Sequence, residues 1–192
     1  MDPAAQVRDE LLQRLEFFRL EPRAIVDLCC GSGAGAAALR KRFPRARVVA
    51  VDRAYATVQQ ARRSQRFWRR FDCVCAAGAS LPFAARSVEL VLCSQVPPHG
   101  DDALALFAEV QRVLQPGGLL LFAAPDADML QLGAALAHAG FVEPVLDRDV
   151  QAGTEFVYGA AFAGRAGRRA DERPDEGVVP LSAVRTRSGP LA

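Results

Sequence analysis

Apolar and polar positions along this chain switch between two rhythms. Over residues 7–20, Val7, Leu11, Leu12, Leu15 and Phe18 recur at helical spacing, Arg8, Asp9, Arg14 and Glu16 occupy other faces, and Pro22 closes the segment. The apolar run Ala24-Ile25-Val26, resumed at Leu28, predicts a buried strand over 24–28. It ends in the glycine-rich turn Gly31-Ser32-Gly33-Ala34-Gly35, and an alanine-rich helix over 36–43 is stopped by Pro44. The same alternation continues: a strand over 47–52, a helix over 54–70, and strands over 71–76 and 87–94. The last of these is apolar almost throughout, as suits a parallel strand covered on both faces. Asp101 is placed to cap a helix over 102–114, and Gln115-Pro116-Gly117-Gly118 ends it before a strand over 119–124. A helix over 128–139 stops at Gly140, and strands follow over 144–150 and 154–162. The order strand, helix, strand predicts an α/β fold.

Composition narrows this picture only a little. The chain has 192 residues, enough for one domain and a short tail, and 51% of them are hydrophobic, enough for a core. A net charge of +2 selects no partner class, and Lys41 is the only lysine, which reads as a composition bias toward arginine. The helix after the second strand carries Arg62, Arg63, Arg66, Arg69 and Arg70 interleaved with Phe67 and Trp68. A patch for an acidic partner or for nucleic acid is one reading; a solvated helix face is the preferred one, so nucleic acid is not the expected partner. No apolar run is long enough to span a bilayer and the N-terminus has no leader pattern, so a cytoplasmic protein without membrane contact is expected. The five cysteines suit a reducing compartment. Cys73 and Cys75 share a strand face, but the spacing of Cys29, Cys30, Cys73, Cys75 and Cys93 is not that of a metal cluster, and no metal is expected. From 163 to 192 Gly, Arg, Asp, Glu and Pro surround one apolar island, Val178-Val179-Pro180-Leu181, and a flexible tail is expected. The chain thus divides into an N-terminal helix (1–22), an α/β domain (23–162) and the tail (163–192).

Strand, glycine turn and helix form the first unit of a nucleotide-binding sheet. Glycine lets the backbone approach a ligand, and the helix start offers unpaired N–H groups. The second strand ends in Asp52, about 20 residues beyond the glycines, where a carboxylate grips ribose hydroxyls. A cap for the next helix is the competing role for Asp52. The glycine spacing is not that of hydride-transfer dinucleotide enzymes, which disfavours an oxidoreductase.

The pattern Asp27-x-Cys29-x-Gly31-x-Gly33 resembles the D-x-G-x-G-x-G motif of class I S-adenosylmethionine-dependent methyltransferases, with Cys29 in place of the first glycine. Leu81-Pro82-Phe83 and Arg112-Val113-Leu114-Gln115-Pro116-Gly117-Gly118 resemble segments common to many methyltransferases, while Ala139-Gly140-Phe141-Val142-Glu143-Pro144-Val145-Leu146-Asp147 and Val157-Tyr158-Gly159-Ala160-Ala161-Phe162 resemble more narrowly the biotin-pathway malonyl-acyl-carrier-protein O-methyltransferases. The resemblance implies a doubly wound, seven-stranded, mostly parallel Rossmann-like sheet with its last strand antiparallel. It implies S-adenosyl-L-methionine as cofactor and a small-molecule or acyl-carrier-protein-bound carboxylate as acceptor. Carried onto this chain, the cofactor residues are Asp27, which orients the turn, then Cys29, Gly31 and Gly33 at the methionine end. Asp52 falls at the ribose, with Arg53 beside it among the cofactor-binding residues, Ala77 and Gly78 beside adenine, and Ser94 and Gln95 at the methyl-donor end.

Four departures from the family pattern stand out. The first glycine is Cys29, and the run Ala77-Gly78-Ala79-Ser80 lacks the family's adenine-binding Asp. Gln95-Val96-Pro97-Pro98-His99-Gly100 replaces the family's stretch after strand four, and the connections flanking strands five, six and seven are too short for the family's inserted lid helices. These keep a second reading open, a catalytically degenerate relative acting as a binding or regulatory partner. A carboxylate acceptor is already ionised at neutral pH and needs no general base. For a hydroxyl or amine acceptor His99 is the candidate base, with solvent exposure its competing role; His138, late in a helix, reads as structural.

Overall fold

The computed structural model describes residues 3–65, 70–97, 101–151 and 153–164. Seven strands form a single sheet: β1 (Ala24–Leu28), β2 (Arg47–Asp52), β3 (Asp72–Cys75), β4 (Val88–Cys93), β5 (Leu114–Pro125), β6 (Phe141–Gln151) and β7 (Thr154–Ala163). Their order is β3-β2-β1-β4-β5-β7-β6; the pairs through β5 are parallel, and β7 runs antiparallel to both β5 and β6. The doubly wound sheet with an antiparallel final strand is therefore as the resemblance implies.

Alternating strand residues build two cores. Ile25, Val48, Ala50, Leu90, Leu92, Leu119 and Leu121 face α1 (Pro3–Arg14), α2 (Ala34–Arg42) and Ala61 of α3 (Tyr55–Ser64). Val26, Leu28, Val51, Val91, Leu120 and Phe122 face α4 (Asp101–Val113) and α5 (Met129–His138). Phe107 of α4 packs on the Phe122 ring at 5.3 Å between centroids. Burying both faces explains why β1, β2, β4 and β5 read as continuous apolar runs.

Several boundaries differ from the sequence expectation. The first helix ends at Arg14, passes through a 3-10 turn at Leu15–Phe17, and turns extended at Phe18 (φ −108°, ψ 132°). That turn delivers the Phe18 ring edge-on to Phe162 at 5.9 Å, where a continued helix would carry it away from the sheet. The helix expected to reach residue 70 ends at Ser64, where Gln65 is extended and its side-chain amide donates to the Phe71 carbonyl at 2.9 Å. Residues 66–69 of the arginine-rich stretch lie outside the described residues, as do His99, Ala152 and the tail from 165 onward. β5 starts at Leu114 because Gln115-Pro116-Gly117-Gly118 forms an irregularity within it: Val88 pairs with Leu114, yet Leu90 pairs with Leu119. β6 begins at Phe141 rather than 144, interrupted by a register shift where Glu143 takes a φ of 50° before Pro144. Asp128 caps α5, accepting the N–H of Leu130 and Gln131 at 2.8 and 3.0 Å.

Candidate functional site

The chain leaves β1 toward β2 and β3 and leaves β4 toward β5, so the crevice between the carboxyl ends of β1 and β4 is the sheet's switch point, where open α/β sheets bind ligands. The fold brings nearly all the proposed cofactor residues to that rim. Cys29, Gly31 and Gly33 follow β1, Asp52 and Arg53 end β2, Ala77 and Gly78 follow β3, and Ser94 and Gln95 follow β4.

The glycine turn is left-handed at three places: Cys29 (φ 57°), Gly31 (φ 52°) and Gly33 (φ 80°). Gly33 starts α2, and a Cβ there would lie 2.8 Å from the Phe71 ring, so only glycine allows this close approach. Around Gly31 no atom stands within 4 Å of an added Cβ, which leaves an open backbone face beside the turn. Asp52 holds the turn from the next strand. Its Oδ2 accepts the Gly31 N–H at 3.3 Å and its Oδ1 accepts the Ala54 N–H at 2.9 Å. Asp52 thus braces the approach to α3 without capping it, since the N-cap residue is Ala54, and its carboxylate, with about four lone-pair sites, retains acceptor capacity for a ligand.

Asp27 lies beneath the turn and is 2% exposed. Its carboxylate accepts the Ala36 N–H at the start of α2, while Oδ2 has no hydrogen-bond partner. Burial raises its pKa to about 7, with the Ala36 N–H and the Arg8 charge opposing the shift. Gly35 makes room for it: a Cβ at that position would be 2.8 Å from Oδ2. Asp27 is therefore packed between the end of β1 and the start of α2. The turn's third glycine is needed for packing on this carboxylate, which the spacing of the motif alone does not reveal.

The two loop tips are clasped across the crevice. The Ser94 hydroxyl donates to the Cys29 carbonyl at 3.3 Å, and the Cys29 thiol lies 3.5 Å from the Gln95 carbonyl. Cys93, fully buried at the end of β4, packs in the same core as Cys29; the neighbouring thiol lowers the Cys29 pKa and, with burial, raises that of Cys93. Sequence reading missed Cys93 here, because nothing in the chain states which strand end faces β1. Arg53 and Ala77 are exposed on the rim, whereas a Cβ on Gly78 would meet Leu106 at 3.1 Å, so Gly78 is pressed against α4. Among the described residues no three His, Cys, Asp or Glu side chains are grouped to hold a metal, and no helix is long and apolar enough to cross a membrane.

A seven-stranded sheet of this order, with a glycine turn after β1 and an acid closing β2, defines the Rossmann-like class I methyltransferase architecture. The chain matches the family model described as "Methyltransferase domain" over residues 26–122, half of its length, and it belongs to that family. Its relatives include malonyl-acyl-carrier-protein O-methyltransferases from Halorhodospira halophila, 36% identical over 165 residues, and from Methylovorus, 34% identical over 171 residues. Each alignment takes in 74% of this chain, against 56% and 58% of those proteins, so the chain spans little more than half their length. Among solved structures, the 4+2 cyclase SpnF superposes with a TM-score of 0.71 at 15% identity, over 83% of this chain and 82% of that one. Geranyl diphosphate C-methyltransferase from Streptomyces coelicolor, solved with S-adenosyl-L-homocysteine, gives 0.69 at 16% identity, over 83% and 80%. These likenesses establish the fold.

Proposed function

We propose that the chain binds S-adenosyl-L-methionine in the crevice between β1 and β4 and transfers its methyl group to a carboxylate, with a malonyl thioester on an acyl-carrier protein as the acceptor. The observation that carries the reading is the glycine turn held open beside Asp52. Gly31 presents a free backbone face, and the acid that holds it keeps acceptor sites directed to the same rim. The curated relatives named for this reaction support the choice of acceptor.

The residues present fit the cofactor. Asp52 accepts ribose hydroxyls, the N–H groups around Gly31 and Gly33 meet the methionine end, and the exposed backbone near Ala77 flanks adenine. Ser94 and Gln95, joined to Cys29 by the clasp, border the methyl-donor end. When bound, the cofactor supplies a methyl group activated by an adjacent sulfonium. The chain's part is to hold the acceptor in line with it and to limit water, which accounts for most of what such a transfer needs. No proton has to be removed from an ionised carboxylate, so no catalytic acid–base pair is required.

β5 passes to α5 through residues 126–128, and β6 turns into β7 with Gln151 paired to Thr154, so no covering segment is inserted at either place. The test has two parts: calorimetric titration with S-adenosyl-L-methionine, and mass analysis of malonyl-acyl-carrier protein after incubation with enzyme and cofactor. Saturable binding with formation of the methyl ester supports the proposal. Binding with no methylation supports the non-catalytic reading, and no binding at millimolar cofactor ends both cofactor-based readings.

A further inference from the structure

We propose that Cys29 and Cys93 form a peroxide-reactive dithiol, Cys29 attacking and Cys93 resolving, whose disulfide locks the glycine turn onto the tip of β4. The consequence for cofactor binding rests on the functional reading above; the linkage itself does not.

The geometry comes from the sheet. In the parallel register Leu28 lies opposite Cys93, so Cys29 is one residue beyond Cys93's partner. With strands about 4.8 Å apart and a rise of about 3.3 Å per residue, that diagonal puts the two Cα atoms roughly 6 Å apart, inside the disulfide range of about 4.4–6.8 Å. In a continued strand the Cys29 side chain would point away from Cys93. The left-handed φ of 57° reverses it, and Cys29 packs on the same core as Leu28 and Cys93. Cys30, the next residue, faces the other core, with its thiol toward the Gly31 carbonyl at 3.8 Å. The two vicinal cysteines are thereby separated, and only Cys29 shares a face with Cys93.

Exposure assigns the roles. Cys29 is partly exposed in the crevice, whereas Cys93 is 0% exposed. The accessible thiol is the one a peroxide can reach, and the neighbouring Cys93 lowers its pKa, so Cys29 is the nucleophile. The Cys29 thiolate attacks a hydroperoxide oxygen, the O–O bond breaks, and a sulfenic acid forms with release of water or an alcohol. Cys93 sulfur then attacks the Cys29 sulfur, the S–O bond breaks, and hydroxide leaves with the Cys93 proton as water. Two thiols lose two electrons, and the peroxide accepts them. The new S–S bond replaces the Cys29 thiol contact to the Gln95 carbonyl and fixes the turn, so a ligand that needs the crevice to adjust binds less well.

The experiment uses the full reduced chain, treated with hydrogen peroxide in the presence or absence of dimedone, then alkylated, digested and mapped by mass spectrometry. The expected product is a Cys29–Cys93 link removed by dithiothreitol, with little dimedone on Cys29. In Cys93→Ala the link is absent and Cys29 takes up dimedone instead. Linkage of Cys29 to Cys30, Cys73 or Cys75, or dimedone on Cys29 of the unaltered chain without any link, overturns the proposal without recourse to the variant. S-adenosyl-L-methionine affinity is read on the same samples. A fall of about tenfold or more on oxidation, recovered with dithiothreitol, is expected; unchanged affinity in the linked protein overturns the lock. A reduced chain that binds no cofactor overturns the functional reading, while the linkage map still decides the dithiol.

Discussion

Asp52 and Gly31 are joined across the mouth of the crevice: the Asp52 carboxylate accepts the Gly31 N–H at 3.3 Å, so the tip of β2 holds the turn that leaves β1. A single side chain thus links the shape of the glycine turn to the group proposed to grip the cofactor's ribose. The same carboxylate accepts the Ala54 N–H, so it also shapes the entry to α3.

This double duty separates two substitutions. Asp52→Ala removes the acceptor for both N–H groups and lowers stability by about 1 kcal/mol, seen as a lower urea midpoint. Asp52→Asn keeps one oxygen acceptor and most of the stability, but it loses the charge offered to hydroxyls. Cofactor affinity falls about tenfold or more in both, measured by titration calorimetry.

The left-handed positions of the turn respond in opposite directions. At Gly33, alanine places a methyl group 2.8 Å from the Phe71 ring and 3.1 Å from Ala61 at a φ of 80°. Strain and overpacking together lower stability by about 2–4 kcal/mol. At Cys29 a non-glycine residue already sits at φ 57°, so Cys29→Gly relieves strain and raises stability by about 1 kcal/mol. Thermal unfolding of the two variants checks both, with a rise of roughly 2–4 °C expected for Cys29→Gly.

Asp27 gives the fold a pH dependence of known sign. Its folded pKa is raised from 3.8 to about 7, chiefly by burial, so between those values the native state holds a proton that the unfolded chain has released. Its contribution is fully present below the lower value, is lost as the pH rises, and levels off above the upper one. Asp27→Asn, neutral throughout, flattens that part of the profile. Denaturant titrations at about pH 5 and about pH 8 compare the two: the unaltered chain loses more stability between these conditions than the variant.

Gly35 tests the seat of that carboxylate. An alanine there places Cβ 2.8 Å from Asp27 Oδ2, with β1 on one side and the start of α2 on the other. Stability falls by about 1–3 kcal/mol, and Gly35→Ala combined with Asp27→Ala is less destabilised than the sum of the two single changes, because the small side chain removes the clash.

Much of this domain can be read along the chain. The apolar run of 24–28, the glycine turn and the strand closing at Asp52 depend on neighbours in sequence, and each element is found with its bounds nearly unchanged. The fold class follows from the alternation of strands and helices. Boundaries moved where a distant partner decided them. Phe18 leaves the helix to reach Phe162, and Gln65 turns out of α3 to meet the carbonyl of Phe71.

What the sequence determined by itself is the list of elements and the residue types at the strand ends, since backbone preference and hydrophobic period are local properties. What only the tertiary structure decided is which of those ends meet. Strand order set Asp52 against Gly31 and Cys93 against Cys29, and helix packing buried Asp27 against Gly35. The first two join residues tens of positions apart, and all three arise because both faces of the sheet must be covered at once, a condition no short stretch of chain can express.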